Sequence, residues 1–183
     1  KTQVIFNGYY KNYFKPNKLF KAAFIKKYKI KSNQIIFGYV ARFSPQKNHK
    51  FLFDCLNSLK KKNLSFKLIL VGDNIKNNNN LKNLIRKFDL KKEIIIFKET
   101  KEINLIYPIF DLNFLVSSYG ESFPNTLAES MLSGTPCITS DVGDSKYIIG
   151  KYGFLFNKND KNDFMKNIFN FKKKFLKKKN LIY

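Results

Sequence analysis

Glu121 and Glu129 stand eight residues apart in the stretch YGESFPNTLAESM, in a chain otherwise dominated by lysine. Pro124 suits the first turn of a helix and has no N–H of its own. The backbone N–H groups of Asn125 and Thr126 are then free donors, and the helix dipole at that point favours an anion. Glu129 falls about one turn into such a helix. A carboxylate there can accept two hydrogen bonds from a vicinal diol, such as the hydroxyls of a ribose. Glu121 precedes the turn, nearer a mouth, where it can hold another hydroxylated group. Each glutamate taken singly reads as a solvated side chain. The pair, flanked by GES-P and SGTP, reads as binding machinery.

A second constellation lies in ARFSPQKNHK, where Arg42 and Lys47 are five residues apart across a turn held by Ser44-Pro45. A guanidinium forks onto two phosphate oxygens and an ammonium acts as a point charge, so the two together suit a diphosphate. Arg42 and Arg86 are the only arginines of the chain. An arginine where lysine is the default points to planar, bidentate geometry. No GxxxxGK[ST] loop follows a strand and no GxGxxG opens a helix, so another device must hold a phosphate-bearing ligand. His49, at the start of a helix, reads as a solvated or capping residue. Asp73, Asp141 and Asp144 read as turn and cap residues.

These residues need elements to place them. QIIFGYV, FKLILVG, EIIIF, LNFLVSS, PCITS and GFLF read as strands, several apolar throughout. HKFLFDCLNSLKKK, LKNLIRKFDL, NTLAESMLSG and a basic segment from about Asp160 read as helices. INLIYPIF reads as a short helix broken near Pro108. Phe51, Leu52, Cys55, Leu56 and Leu59 share one helical face. Alternating strands and helices with strands buried on both sides predict a doubly wound parallel sheet, an α/β domain of Rossmann-like type. Ligands of such sheets bind beyond the carboxyl ends of the strands. That selects Ala41–Lys47, Gly72–Asp73, Phe97–Lys101, Ser117–Thr126 and Ser140–Asp144 as the segments to search.

The chain has 183 residues and 44% hydrophobic residues, enough for one domain with a sizeable core. Its division is read as an opening segment, 1–33, a core, 34–157, and a basic C-terminal helix, 158–183. Lys+Arg outnumber Asp+Glu by 35 to 13, giving a formal net charge of +22. Nucleic acid, an anionic membrane surface or a phosphate-bearing small molecule would each suit that charge. So would plain compositional bias, because Lys, Asn, Ile and Phe rise together as A+T-rich codons dictate. Cys55 and Cys137 are far apart in apolar patterns and read as small core residues in a reducing compartment. No run reaches the roughly 18 apolar residues of a membrane span. Phe164, Ile168, Phe171 and Phe175 fall on one helical face beside Lys172–Lys174 and Lys177–Lys179. That face suits either an anionic leaflet or the sheet itself.

GESFPNTLAESMLSGTPCITSDVG, GYVARFSPQK, VIFNGYYKNYFKP and YGFLFNKND together resemble the C-terminal domain of a family 4 glycosyltransferase, a retaining enzyme of the two-domain GT-B fold. The likeness covers nearly the whole chain in family order. It implies that Arg42 and Lys47 meet the donor diphosphate and act, with Glu121, in catalysis. It implies that Glu129 holds the ribose and Glu121 the donor sugar, and that Ser122, Phe123, Pro124, Asn125 and Thr126 form the loop meeting sugar and phosphate. Gly72 falls at a strand end of the same site, and Lys98 and Glu99 match where the nucleobase rests. Lys98 stands where the family often has Gly, which leaves base selectivity open. The implied reaction cleaves an anomeric C–O bond and stabilises the leaving nucleoside diphosphate by fixed positive charge. No Asp-x-Asp motif appears, which fits a metal-independent enzyme without a cofactor. The implied partners are a nucleotide-sugar donor, a glycan or lipid-linked acceptor in cell-surface polysaccharide synthesis, and an acceptor domain expected before Lys1. The expected location is cytoplasmic, and peripheral at the inner face of a membrane if the basic helix binds one. Two other readings compete. One is a sugar-nucleotide epimerase or non-catalytic nucleotide-binding module of the same fold. The other is a basic nucleic-acid-binding domain, for which the sequence carries no RRM, KH, helix-turn-helix or zinc signature.

Overall fold

The computed structural model describes residues 3, 7–10, 12–73, 75–98 and 100–180. Six strands, β1 (Ile35–Val40), β2 (Phe66–Gly72), β3 (Ile94–Lys98), β4 (Leu112–Leu115), β5 (Cys137–Ser140) and β6 (Phe154–Phe156), form one sheet in the order β3-β2-β1-β4-β5-β6. Every pairing is parallel. Seven α-helices accompany them among the described residues: α1 (Lys18–Lys27), α2 (His49–Lys61), α3 (Asn79–Lys87), α4 (Ile103–Ile106), α5 (Asn125–Leu132), α6 (Ser145–Ile149) and α7 (Lys161–Asn180). A 3-10 turn, Tyr107–Ile109, carries Pro108 and follows α4 directly.

Parity along the strands fixes the layers. Phe37, Tyr39, Leu68, Leu70, Phe114 and Ile138 pack with Leu52, Leu56, Leu81, Phe164 and Ile168 of α2, α3 and α7. Their neighbours Ile36, Ile69 and Val71 pack on the opposite side with Phe24 of α1 and with Ile106 to Phe110. Leu115 and Cys137 meet α5 and α6 through Leu127 and Ile149 on that same second side. Both faces are covered, which is why the strands read as continuous apolar runs rather than alternating ones. Cys55 and Cys137 are free and buried, and burial pushes both thiols up to about 12.

The C-terminal helix packs one face on the sheet. Phe164 and Ile168 are fully buried and Phe171 nearly so, against the sheet and α2. Phe171 stacks on Phe175 with centroids 5.4 Å apart, and Lys161 pairs with Asp54 of α2 at 2.7 Å. Phe164, Ile168 and Phe171 of the apolar stripe therefore pack on the domain, and Phe175 is partly buried beside them. No helix of the described residues is long and apolar enough to cross a membrane. Two elements lie where the sequence reading placed only an opening segment and loops, namely α1 and α6. Of the residues in α1, Phe24 is the one buried, so its pattern carries little periodic signal.

The order of strands places the site. From β1 the sheet runs outward through β2 to β3 on one side and through β4 and β5 to β6 on the other. The chain therefore leaves β1 and β4 in opposite directions, and a crevice opens between their carboxyl ends. Gly72 lets the end of β2 approach that crevice, since a Cβ on it would lie 2.2 Å from the carbonyl oxygen of Ala41.

Candidate functional site

A cleft of about 530 Å³ occupies the crevice, walled by Arg42, Gln46, Lys47, Gly72, Glu121 and the run Phe123–Thr126, among others. Arg42 leaves the end of β1 exposed to solvent, and Lys47 immediately precedes Asn48, the N-cap of α2. The Lys47 ammonium forms an ion pair with Glu121 Oε1, and the Ser117 hydroxyl donates to the same oxygen at 2.5 Å. The pair is mostly shielded, with side chains 17% and 8% exposed. The Tyr39 hydroxyl donates to the Lys47 carbonyl from below. Gln46 stitches the two strand-end loops together: its Nε2 donates to the Gly120 carbonyl at 2.7 Å, and its carbonyl accepts from Ser118 N–H at 2.9 Å. Two groups that the sequence assigns to neighbouring parts of one ligand are thus in contact with each other. Short-range pattern cannot show this, because they are 74 residues apart.

The second wall is the start of α5. Pro124 occupies the N-cap with φ −71° and ψ 99°, and no side chain caps the helix. The proline stands at the N-cap rather than in the first turn, and Pro124, Asn125 and Thr126 line the cleft at the start of a helix that no side chain caps among the described residues. Asn125 Oδ1 accepts from Asn7 Nδ2 at 2.8 Å and from the Tyr9 hydroxyl at 2.6 Å, and the Tyr9 ring stacks on Phe123. The opening segment therefore braces the rim of the site. Ser122 is exposed, and its carbonyl accepts from Asp144 N–H at 2.9 Å. Asp144 stands at the N-cap of α6 without a side-chain cap bond.

Glu129 lies one turn further into α5, outside the cleft wall. Its Oε2 accepts from the Tyr107 hydroxyl at 2.7 Å. Burial raises the carboxyl above its ordinary range, partly offset by the Tyr107 bond. Burial, and then the Glu129 charge, raise the phenols of Tyr107 and Tyr9. Lys98 ends β3, which β2 and β1 separate from β4, and Glu99 lies outside the described residues. The site thus gathers Arg42, Lys47, Glu121, Phe123, Pro124, Asn125, Thr126 and Gly72 around one cleft, with Glu129 behind the helix start.

One assignment is corrected. His49 is neither solvated nor a cap. It is 2% exposed, boxed by Tyr39, Phe43 and Phe53, and both ring nitrogens are buried without a partner among the described residues. Burial, and second the Lys47 charge, lower its pKa to about 4, so the ring is neutral. The cap of α2 is Asn48, whose side chain accepts from Phe51 N–H. Sequence reasoning also missed Tyr107, Gln46 and Tyr9. Their partners are distant in sequence, and nothing in their local spacing announces a role.

Arg42, Lys47, Glu121 and the uncapped start of α5 thus line one crevice at the carboxyl ends of the strands. Residues 20–183 match the family described as glycosyl transferases group 1, and the chain belongs to that family. It is 33% identical over 112 residues to the putative glycosyltransferase EpsF of Bacillus subtilis, covering 61% of this chain and 29% of that protein. It is 28% identical over 140 residues to the UDP-Gal:alpha-D-GlcNAc-diphosphoundecaprenol alpha-1,3-galactosyltransferase of Escherichia coli, covering 74% and 36%. In fold it resembles HepE of Anabaena, solved with UDP and glucose. The TM-score is 0.78 at 23% identity, over 90% of this chain and 45% of that one. It also resembles the C-terminal domain of the group 1 protein LpcC of Francisella tularensis, with TM-score 0.70 at 19% identity, over 88% and 86%. The chain spans about a third of the length of these curated relatives.

Proposed function

We propose that this chain is the donor-binding half of a retaining, family 4 glycosyltransferase of GT-B type, and that its cleft holds a nucleoside-diphosphate sugar. The observation that carries this reading is the convergence of Arg42, Lys47, Glu121 and the open start of α5 on one cleft at the sheet's switch point. In this reading the diphosphate lies between the Arg42 guanidinium, the Lys47 ammonium and the N–H groups of Asn125 and Thr126. Fixed positive charge stabilises the negative charge that develops as the anomeric C–O bond breaks. Glu121 accepts hydroxyls of the transferred sugar, and Glu129 those of the ribose. The positive groups come from side chains and helix, so the reading includes donor binding without a divalent cation. A lipid-linked or glycan acceptor is supported by the name of the Escherichia coli relative, whose acceptor is a diphosphoundecaprenol-linked sugar. Two free, buried thiols fit a reducing, cytoplasmic location.

Calorimetric titration with UDP, GDP and their sugars, in EDTA and with magnesium, tests the proposal. Micromolar to millimolar binding of a nucleoside diphosphate in EDTA is expected, with loss of at least about tenfold in Lys47→Ala. Absence of any nucleotide binding, or a strict need for the metal, would refute it.

A further inference from the structure

Tyr107 is the most conspicuous polar group of the domain that the donor-site assignments leave unused. It begins the 3-10 turn, is 1% exposed, and packs its ring near Phe14 and Phe110 at centroid distances of 6.3 and 6.1 Å. Its backbone is pinned as well: the Tyr107 carbonyl accepts from Thr135 Oγ1 at 2.7 Å and from Phe110 N–H at 3.1 Å. A buried phenol needs a hydrogen-bond partner. This one points its hydroxyl at a half-buried carboxylate, Glu129 Oε2, 2.7 Å away. Glu129 Oε1 has no protein partner among the described residues. One oxygen of the carboxylate is therefore anchored and the other is open. The anchor is rigid, because backbone bonds and a proline fix the turn that carries it.

We infer that Tyr107 is a positioning residue for the nucleotide site: its hydroxyl holds the Glu129 carboxylate in the rotamer that accepts the ribose hydroxyls. The inference rests on the donor-binding reading above and adds a residue to it. A free glutamate side chain would lose rotamer entropy each time it met a diol. A glutamate tethered by a buried phenol has already lost it, so more of the hydrogen-bond energy appears as affinity. The tether also gives the segment from Ile103 to Ile109 a functional task. It links the end of the β3–β4 connection to α5.

The test compares UDP with 2′,3′-dideoxy-UDP, which keeps base and diphosphate and lacks both hydroxyls. Wild type is expected to prefer UDP. Tyr107→Phe keeps the ring and removes one oxygen. It is expected to lose roughly tenfold in affinity for UDP and to bind the dideoxy compound as wild type does. The preference for UDP should then shrink by that factor. The ratio of the two affinities is read on one preparation, so any loss of folded protein cancels. p-Aminophenylalanine at position 107, which restores a para donor, should recover much of the preference. Equal loss for both ligands would make Tyr107 a packing residue only and overturn the inference, as would an unchanged preference in Tyr107→Phe. Wild type that binds UDP without preferring it over the dideoxy compound would overturn the ribose assignment of Glu129 and the inference with it. Wild type that binds neither would overturn the donor-binding reading itself.

Discussion

Glu121 cannot be altered without touching Lys47. Assigning one to a sugar and the other to phosphates treats them as separate, yet they share a shielded ion pair. Removing one partner of such a pair leaves the other uncompensated and free to move. Glu121→Gln should therefore weaken a nucleoside diphosphate as well as its sugar conjugate, by about three- to tenfold for the former. The check is a titration of UDP against Lys47→Ala, Glu121→Gln and the double variant. Residues in one network are non-additive, so the double variant should lose less than the two single losses combined. Additive losses would show that the pair has no bearing on phosphate binding. His49 gives a second prediction at this scale. Its folded pKa is about 4, set first by burial and then by Lys47, against about 6.5 for an unfolded histidine. Well above pH 6.5 neither state is protonated and the ring contributes nothing to pH dependence. As pH falls below about 6.5 the unfolded state takes up a proton and the folded state does not, so stability is lost. The loss is complete near the folded value and amounts to about 3 kcal/mol. His49→Leu should remove this component. Urea midpoints at pH 7, 5.5 and 4.5 decide it, and parallel declines in the two proteins would count against the assignment.

The loop before α6 presses on the loop that carries Glu121. Gly143 has φ +50°, and a Cβ there would lie 2.0 Å from the Glu121 carbonyl oxygen. Gly143→Ala should push the Glu121 backbone away from Lys47. We expect roughly tenfold weaker nucleotide binding together with about 1–3 kcal/mol lower stability. Calorimetry and denaturant unfolding of one preparation would measure both, and unchanged binding would mean that the loop accommodates the methyl elsewhere. In α7, Phe164→Ala should cost about 3–5 kcal/mol, as expected for a fully buried phenylalanine. A cost under about 1 kcal/mol, read from the same unfolding curves, would mean that the helix is not part of the core. These elements also show what the sequence could say. All six strands were legible, because burial on both faces makes each a short run of apolar residues between turns. The long helices were legible through one-sided spacing, as with Leu52, Leu56 and Leu59. By contrast, α6 has five residues, too few for a period, and α1 buries mainly Phe24. The stripe on α7 was visible, but whether lipid or protein covers it depends on where the sheet lies. Arg42, Lys47, Gly72, Glu121 and Phe123–Thr126 were legible as crevice residues by their place at strand ends, whereas Ser122, Glu129 and Lys98 do not line the cleft. The pairings were not legible, because Lys47–Glu121, Tyr107–Glu129 and Tyr9–Asn125 join segments that only the sheet order brings together.

At the scale of the molecule two kinds of positive charge must be distinguished. The net charge of +22 comes from 35 basic residues, whereas the cleft is lined by one arginine, one lysine and a helix start. Spread charge acts through a screened field that decays over about 8 Å at physiological ionic strength. It would attract any polyanion without selecting one. A duplex held by about six phosphates would lose roughly 10³ in affinity between 50 and 200 mM salt, because each contact releases counterions. A diphosphate in a partly shielded cleft makes fewer such contacts and adds hydrogen bonds that salt does not screen. Its affinity should fall by only about two- to fivefold over the same range. Fluorescence titration of a labelled 20-base-pair duplex, beside calorimetry of UDP, at both salt concentrations separates the cases. If the charge is compositional, duplex binding fades at 200 mM while UDP binding persists, and excess UDP does not displace the duplex at 50 mM. If instead the duplex still binds tightly at 200 mM and UDP shows no saturable binding at either salt, the surface rather than the cleft is the functional part of this domain.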